Sequence, residues 1–151
     1  MIVTTEHNQT TISKKVSLEG VGLHTGKDVT LTFVPSNADS GYVFKRVDLE
    51  NSPTMKADIK YVSSTDRGTC LNKNGLTIQT CEHVLAALVG LEIDNVIIEL
   101  NESEPPIMDG SAKFFVDALE KAGVKYLDSK RKEFIVKNVI SFKDQDTGCL
   151  L

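Results

Sequence analysis

Alternation of apolar and polar residues is clearest at residues 27–35. Val29, Leu31 and Phe33 fall on one side of an extended chain, which predicts a half-buried strand. Further strands are predicted where short apolar stretches lie between turn residues, at residues 10–17, 42–48, 59–62, 95–100 and 133–142. Because only a short turn separates 27–35 from 42–48, we expect these two strands to form a hairpin.

A small hairpin and a helix follow each other at residues 65–90. Asn74-Gly75 is a dipeptide typical of tight hairpin turns, with a short extended piece on each side. The next segment, from Thr80 to Gly90, has helical periodicity, and its core face consists of Cys81, Val84, Leu85 and Leu88. The opposite face consists of Glu82, His83, Ala86, Ala87 and Gly90. Beyond His83 this face lacks the charged residues usual in water, so we expect another surface to pack against it.

A second helix is predicted from Ser111 to Ala122, and it is amphipathic in the ordinary way. Ser111 is a favourable N-terminal cap and Gly123 a favourable stop. Its apolar face consists of Phe114, Phe115, Ala118, Leu119 and Ala122. Strands outnumber helices, so the predicted fold is α+β, a two-layer sandwich of a mainly antiparallel sheet covered by two helices.

Composition narrows the class of protein. The chain has 151 residues with a net charge of −4, which argues against electrostatic binding of nucleic acid. No apolar stretch approaches the length of about 20 residues needed for a transmembrane helix. Three cysteines at unrelated spacings do not suggest a disulfide framework. We therefore expect a cytoplasmic protein.

Glu82 and His83 are the leading candidates for chemistry. An imidazole is a good zinc ligand, and a neighbouring carboxylate can act as a general base. On spacing alone, a capping glutamate beside a packed histidine is the commoner explanation. Cys81 is rejected as a nucleophile because it lies about 160° from His83 around a helix of 3.6 residues per turn. Further candidates are His24 in a glycine-rich loop, and Arg67-Gly68 as an anion contact.

Three segments together resemble a known family. GVGLHTG (20–26), TCEHVLAALVGLEIDNV (80–96) and EPPIMDGSA (104–112) are similar to the N-terminal half of the zinc-dependent UDP-3-O-acyl-N-acetylglucosamine deacetylases. The resemblance implies a first domain at residues 1–127, followed at 128–151 by a linker and the first strand of a second domain. It implies two similar domains of the ribosomal protein S5 domain 2-like kind, packed face to face around zinc.

The resemblance also implies a reaction and roles for individual residues. The family removes the N-acetyl group of UDP-3-O-(3-hydroxyacyl)-N-acetylglucosamine, the committed step of lipid A synthesis in Gram-negative bacteria. By resemblance, Glu82 is the general base, His83 a zinc ligand, and His24, Arg67 and Gly68 substrate contacts.

The family's remaining zinc ligands belong to an H-K-x-x-D motif in its second domain, and this sequence contains no such motif. We therefore expect the chain to need its own C-terminal domain as a partner and to be inactive alone. An alternative is a non-catalytic interaction module that docks through the Ala86, Ala87 and Gly90 face. A third reading is a small structural metal protein that uses His and Cys side chains.

Overall fold

The fold combines three β-sheets with two α-helices, and the computed structural model describes all residues from Met1 to Leu151. A short 3₁₀ helix, Ile59–Tyr61, is the only other regular element. In chain order the elements are β1 (Ile2–Ile12), β2 (Val16–Val21), β3 (Asp28–Pro35), β4 (Tyr42–Arg46), β5 (Thr54–Lys56), β6 (Val62–Ser64), β7 (Cys70–Lys73), β8 (Leu76–Ile78), α1 (Glu82–Gly90), β9 (Val96–Leu100), α2 (Lys113–Ala122) and β10 (Val124–Phe134).

The central sheet has five strands in the order β2-β3-β9-β4-β5. All neighbours are antiparallel except β4 and β9, which are parallel. The predicted strand at 27–35 is confirmed as β3, with its inward residues buried. The predicted hairpin between 27–35 and 42–48 is wrong, because β9 lies between the two strands. The inward residues of β9 are fully buried, and the sheet centre is where such a strand buries most apolar surface.

Both helices belong to the layer that covers this sheet. The core between the layers contains 20 buried residues contributed by the sheet, the helices and the small hairpin. Phe33 of β3 and Phe115 of α2 meet edge to face, with ring centroids 6.5 Å apart and an interplanar angle of 90°. The predicted α+β class, with two helices and a mainly antiparallel sheet, is confirmed. Neither helix has the length and apolar character required to cross a bilayer.

A two-stranded ribbon of β1 and β10 changes the predicted ends of the chain. The strand predicted at 10–17 is wrong as a unit, since it joins the end of β1 to the start of β2 across a turn. The strand predicted at 133–142 is also wrong, because only residues 133 and 134 are extended, as the end of β10. The apolar residues after Phe134 are exposed and have no buried surface to pack on. The expected boundary at 127/128 falls inside β10, which pairs with β1.

Buried polar residues attach this ribbon to the sheet. Asp94, just before β9, accepts the main-chain N–H of Thr10 at 2.7 Å and pairs with Arg131 of β10 at 2.9 Å. Asn95 donates its side-chain amide to Gln9 at 2.9 Å. The N-terminal segment is thus a strand fixed at its inner end.

The third sheet, in the order β6-β7-β8, leads directly into α1. The hairpin predicted at Asn74-Gly75 is confirmed: both residues have positive φ angles, 51° and 86°, and they join β7 to β8. The strand predicted at 59–62 is mostly wrong, because residues 59–61 form the 3₁₀ helix. Asp58 ends the extended chain there by accepting the N–H of Lys60 at 3.1 Å.

Candidate active site

The start of α1 is set by an unusual backbone conformation at Thr80. Its φ angle is +48°, in the left-handed region that β-branched residues rarely adopt. The helix therefore begins at Glu82, two residues later than predicted, and no side chain caps it. Instead, the N–H of Cys81 is bonded to the carbonyl of Thr69 at 3.3 Å. The residue just before β7 thus holds the first turn of α1.

Glu82 is half-buried at this helix start, with its two carboxylate oxygens in different surroundings. Oε2 accepts the main-chain N–H of Thr69 at 2.9 Å, and no hydrogen-bond donor contacts Oε1. A Cβ placed on Gly68 would lie 3.5 Å from Oε1 and 3.3 Å from the Thr80 hydroxyl. The structure therefore brings Gly68 next to Glu82, and the absent side chain leaves Oε1 accessible from that direction.

His83 follows Glu82 on the same helical turn and is half-buried. Its imidazole forms no hydrogen bond or ion pair within the chain, so both ring nitrogens are available. This donor chemistry fits a zinc ligand. No group of three or more His, Cys, Asp and Glu side chains assembles anywhere in the structure. Within this chain His83 is therefore a single candidate ligand, whereas a catalytic zinc site requires about three.

His24 reaches the same region through its main chain. Glu104, which is fully buried in the loop before α2, accepts the N–H of His24 on both oxygens, at 3.2 and 3.0 Å. It also accepts the N–H of Thr25 at 2.9 Å and the hydroxyl of Thr80 at 2.8 Å. The imidazole of His24 itself is exposed. One carboxylate thus connects the glycine-rich loop to the residues that precede Glu82.

The surroundings of Glu104 explain its charge. Burial acts to raise the pKa of this carboxyl, but hydrogen bonds from the Thr25 N–H, the Thr80 hydroxyl and the His24 N–H outweigh it, and the pKa is lowered. Gly22 is required beside it, since a Cβ there would lie 2.7 Å from Glu104 Oε2 and 2.2 Å from the Thr25 hydroxyl. The carboxylate is therefore ionised at neutral pH inside a closely fitted loop.

Glu104 is the residue that sequence reasoning missed. The available signal was that Glu104 opens one of the three segments of the family resemblance. Nothing in the local pattern predicts that this carboxylate is buried, because its partners lie 24 to 80 residues away in the chain.

Arg67 and Cys81, both considered from the sequence, lie in opposite surroundings, one exposed and one buried. Arg67 is exposed next to Gly68, with φ of +58°, and its guanidinium forms no ion pair. Cys81 is fully buried, and burial together with the nearby charge of Glu82 raises the pKa of its thiol to about 12. A thiol protonated to that degree is neither a nucleophile nor a ready metal ligand, which agrees with its rejection from the sequence.

The outer face of α1 differs from the prediction at one position. Ala87 is only 1% exposed and belongs to the core, whereas Val89 is 64% exposed beside Ala86 and Gly90. The buried stripe is rotated toward Ala87 because α1 also packs against α2. Leu85, predicted as core, is correspondingly half-buried. With Val89, it borders an apolar groove of about 290 Å³ whose other walls include Tyr42, Ile59, Val62 and Leu71.

Fold and site together describe one α+β two-layer domain with a carboxylate and an imidazole side by side at a helix N-terminus. The family follows from comparison with known proteins. The family model LpxC, described as UDP-3-O-acyl N-acetylglycosamine deacetylase, matches residues 9–150, and the chain belongs to this family. The resemblance noted from the three segments is confirmed.

Relatives of two kinds support this membership. The chain is 46% identical over 140 residues to a UDP-3-O-acyl-N-acetylglucosamine deacetylase from Blochmanniella floridana, covering 91% of this chain and 47% of that protein. It is 42% identical over 138 residues to one from Geotalea uraniireducens, covering 91% and 45%. It is 44% identical over 140 residues to a bifunctional enzyme LpxC/FabZ from Bacteroides thetaiotaomicron, covering 93% and 30%. The chain thus spans less than half the length of these curated relatives.

Proposed function

We propose that this chain supplies the general base and one zinc ligand for hydrolysis of the N-acetyl group of UDP-3-O-(3-hydroxyacyl)-N-acetylglucosamine, the committed step of lipid A synthesis. The products are acetate and the free amine. Family membership and the activity for which the relatives are named support the reaction. The observation that carries the proposal is the pair Glu82 and His83 at an accessible helix start, with Gly68 leaving Glu82 Oε1 open.

Glu82 acts as the general base. The Thr69 N–H occupies Oε2 and fixes the carboxylate, while Oε1 is free to take a proton from the attacking water. The water oxygen then attacks the acetamide carbonyl, and the proton passes to the leaving amine as the C–N bond breaks. Positioned proton transfer of this kind contributes about 10²- to 10⁴-fold to a rate. The position of Glu82 in the first turn also stabilises its charge, because it lies at the positive end of the helix dipole.

His83 acts as a zinc ligand through its unengaged imidazole. A zinc ion held there would supply Lewis-acid chemistry toward the carbonyl and the water. We assign the other ligands to the C-terminal part of the family's longer chains, where the resemblance implies an H-K-x-x-D motif. The 151-residue chain alone is then inactive, since one histidine cannot hold a catalytic zinc.

Substrate contacts are assigned to the exposed groups around this pair. The Arg67 guanidinium has no intramolecular partner, and a free guanidinium suits the diphosphate of a UDP-sugar. The His24 imidazole is exposed on a loop whose main chain is anchored by Glu104. Gly68 contributes the access to Glu82 that a side chain would narrow.

The three cysteines are free, which supports a reducing compartment such as the cytoplasm.

The exposed face of α1 is assigned to the protein's own C-terminal domain. Ala86, Val89 and Gly90 offer an apolar, closely approachable surface beside the catalytic pair. In the alternative, a non-catalytic interaction module, the same face is the docking surface. Its exposed residues include Val89 and exclude Ala87, which is buried. The two readings differ in whether the completed protein hydrolyses substrate.

A hybrid protein tests the proposal. The chain is fused to the remaining C-terminal part of the Geotalea uraniireducens relative, and acetate release and bound zinc are measured for the hybrid and for the 151-residue chain. We expect turnover only in the hybrid. His83→Ala should lose zinc, whereas Glu82→Gln should keep it and lower turnover. Turnover by the chain alone would refute the one-ligand assignment, and a folded, zinc-loaded hybrid without turnover would favour the interaction module.

A further inference from the structure

Glu104 is a buried charge that the proposed chemistry does not use. Its side chain is fully inaccessible, and its two oxygens accept four hydrogen bonds from three residues: His24, Thr25 and Thr80. A buried carboxylate is tolerated only when its hydrogen-bonding capacity is satisfied in this way. No lysine, arginine or histidine side chain pairs with it. The site is therefore a carboxylate held by main-chain and hydroxyl donors.

Three loops that are distant in sequence meet at this carboxylate. The first is the glycine-rich loop between β2 and β3, and the second is the segment that enters α1. The third loop carries Glu104 itself, and main-chain bonds attach it to both others. The N–H of Gln79 is bonded to the carbonyl of Ser103 at 2.8 Å, and the N–H of Ile107 to the carbonyl of Val21 at 2.9 Å. Glu104 lies between these two attachments, and its side chain bonds both other segments at once.

The hydrogen bond to Thr80 concerns the helix start directly. The left-handed conformation of Thr80 is unfavourable for a β-branched residue and persists only where the surroundings hold it. The 2.8 Å bond from its hydroxyl to Glu104 is such a restraint. This conformation turns the chain so that α1 begins at Glu82 with its carboxylate on Thr69. Loss of the restraint would therefore be felt at Glu82 and His83.

We propose that Glu104 is a positioning residue that holds the loop carrying His24 and the start of α1 carrying Glu82 and His83 in a fixed relative position. The inference rests on the proposed function in taking these three residues as one site. Glu104 itself touches no reacting atom. It acts through the main chain of His24 and Thr25 and through Thr80.

The first test uses the 151-residue chain and needs no activity. Amide hydrogen exchange is compared in the wild type, Glu104→Gln and Glu102→Gln. Glu102 is a matched control, because it lies in the same loop and also contacts the glycine-rich loop, through an ion pair with Lys27 at 3.0 Å. We expect Glu104→Gln to raise exchange by about 10-fold or more at both Thr25 and Thr69, reflecting local opening. Exchange at Phe33 and Ile98 in the sheet should be unchanged in Glu104→Gln. In Glu102→Gln, exchange should be unchanged at all four residues.

The pattern of exchange separates positioning from general stability. A merely structural role would raise exchange uniformly, including at Phe33 and Ile98, and that result would overturn the proposal. Unchanged exchange at Thr69 would overturn it as well, since no coupling to the helix start would exist. If Glu104→Gln fails to fold, Thr80→Val and Thr80→Ser replace it. Thr80→Val removes the hydroxyl and should raise amide exchange at Thr69. Thr80→Ser retains the hydroxyl and should leave that exchange unchanged.

The second test uses the hybrid and reads kcat and KM separately. We expect Glu104→Gln to lower kcat about 10-fold or more, as misplacement of catalytic groups does, with zinc content retained. Thr80→Ser should keep wild-type kcat and Thr80→Val should not. Wild-type kcat and KM in Glu104→Gln would refute the role in catalysis. A hybrid without any turnover would count against the proposed function alone, because the exchange experiment judges the positioning role independently.

Discussion

The two helices cover the same sheet, yet they are held in different ways. The α2 helix is held by its own neighbourhood: the Ser111 hydroxyl accepts the N–H of Lys113 at 3.1 Å, Lys113 pairs with Asp117, and Gly123 ends the helix. In α1, by contrast, no side chain close in sequence bonds the first N–H groups. Its first turn is held by Thr69, just before β7.

This difference coincides with a difference in role. The contacts that hold the start of α2 lie within a few residues of the helix, so they can form wherever that segment forms. The contacts at the start of α1 come from Thr69, just before β7, and from the loop before α2. A helix start defined from several directions can hold Glu82 in one place relative to its neighbours. The candidate catalytic residues thus lie on the helix whose start depends on tertiary contacts.

The largest expected effect separates the two helices by function. In the hybrid, Glu82→Gln should lower kcat by about 10²- to 10⁴-fold, because the general base is lost. Glu120→Gln makes the same chemical change on the exposed side of α2 and should leave kcat unchanged. Steady-state acetate release checks both. Equal kcat values in the two variants would remove the distinction between the helices.

The next effect, on stability, concerns a property that the two helices share: each is anchored in the core by a buried leucine. Leu88 of α1 and Leu119 of α2 are both fully buried, so each change to alanine should lower the free energy of unfolding by about 2–5 kcal/mol. Urea denaturation of the 151-residue chain measures both values. A cost below about 1 kcal/mol at Leu88 alone would show that α1 is not anchored in the core as α2 is.

A smaller effect tests the charge beneath the start of α1. The folded pKa of Glu104 lies below its ordinary value of 4.5, so its contribution is complete above that pH and is lost as pH falls through the lower folded pKa. Glu104→Gln should cost about 1–3 kcal/mol at pH 7 and show a shallower loss of stability in acid. Asp109→Asn, at the exposed start of α2, should show no comparable cost. Denaturation at pH 7 and pH 3 checks this, and parallel acid profiles in wild type and Glu104→Gln would contradict it.

Replacing the glycine at the C-terminal end of each helix by alanine should change the free energy of unfolding in opposite directions. Gly123 has φ of +73° and ψ of 154°, a region almost confined to glycine, so Gly123→Ala should cost about 1–3 kcal/mol. Gly90 is helical and a Cβ there would meet nothing within 4 Å, so Gly90→Ala should stabilise by about 0.5–1 kcal/mol. Thermal unfolding of the two variants measures the signs. Destabilisation by Gly90→Ala would mean that α1 ends differently.

The smallest effect on stability concerns the outer face of α1. Val89 is exposed, so Val89→Lys should change the free energy of unfolding by less than about 0.5 kcal/mol. Lys121→Glu on α2 is an exposed control of similar severity. Only Val89→Lys should weaken binding of the separately produced C-terminal part, measured by calorimetry. Unchanged binding would mean that the C-terminal domain packs elsewhere.

Much of the secondary structure could be predicted because its signals are local. The alternation in β3, the Asn74-Gly75 turn and the helix at 113–122 each depend on residues close in sequence. Errors arose where the same local pattern is compatible with more than one structure. Phe114 was predicted on the buried face of α2 but is 43% exposed, and it lines an open pocket together with Val21 and Met108. The apolar residues 135–140 had β propensity but no partner strand.

The site was predictable to the extent that motifs carry it. Gly68, predicted as a substrate contact, lies beside Glu82, whereas Ala87 is in the core and not on the outer face where it was predicted. Glu104 escaped because its burial depends on loops that converge from three parts of the chain. The roles of Glu82, His83, His24 and Arg67 in catalysis and binding stay predictions.

The sequence by itself determined the class of fold, the presence of the two helices and, through three motifs, the family. These properties depend on periodicity and on residues close together, which the order of amino acids displays directly. Only the tertiary structure decided that β9 separates β3 from β4, that the N-terminal segment pairs with β10 and that Glu104 is buried beneath the start of α1. Such contacts follow from the requirement that buried apolar faces be covered and buried polar groups be bonded, and their partners are distant in the chain.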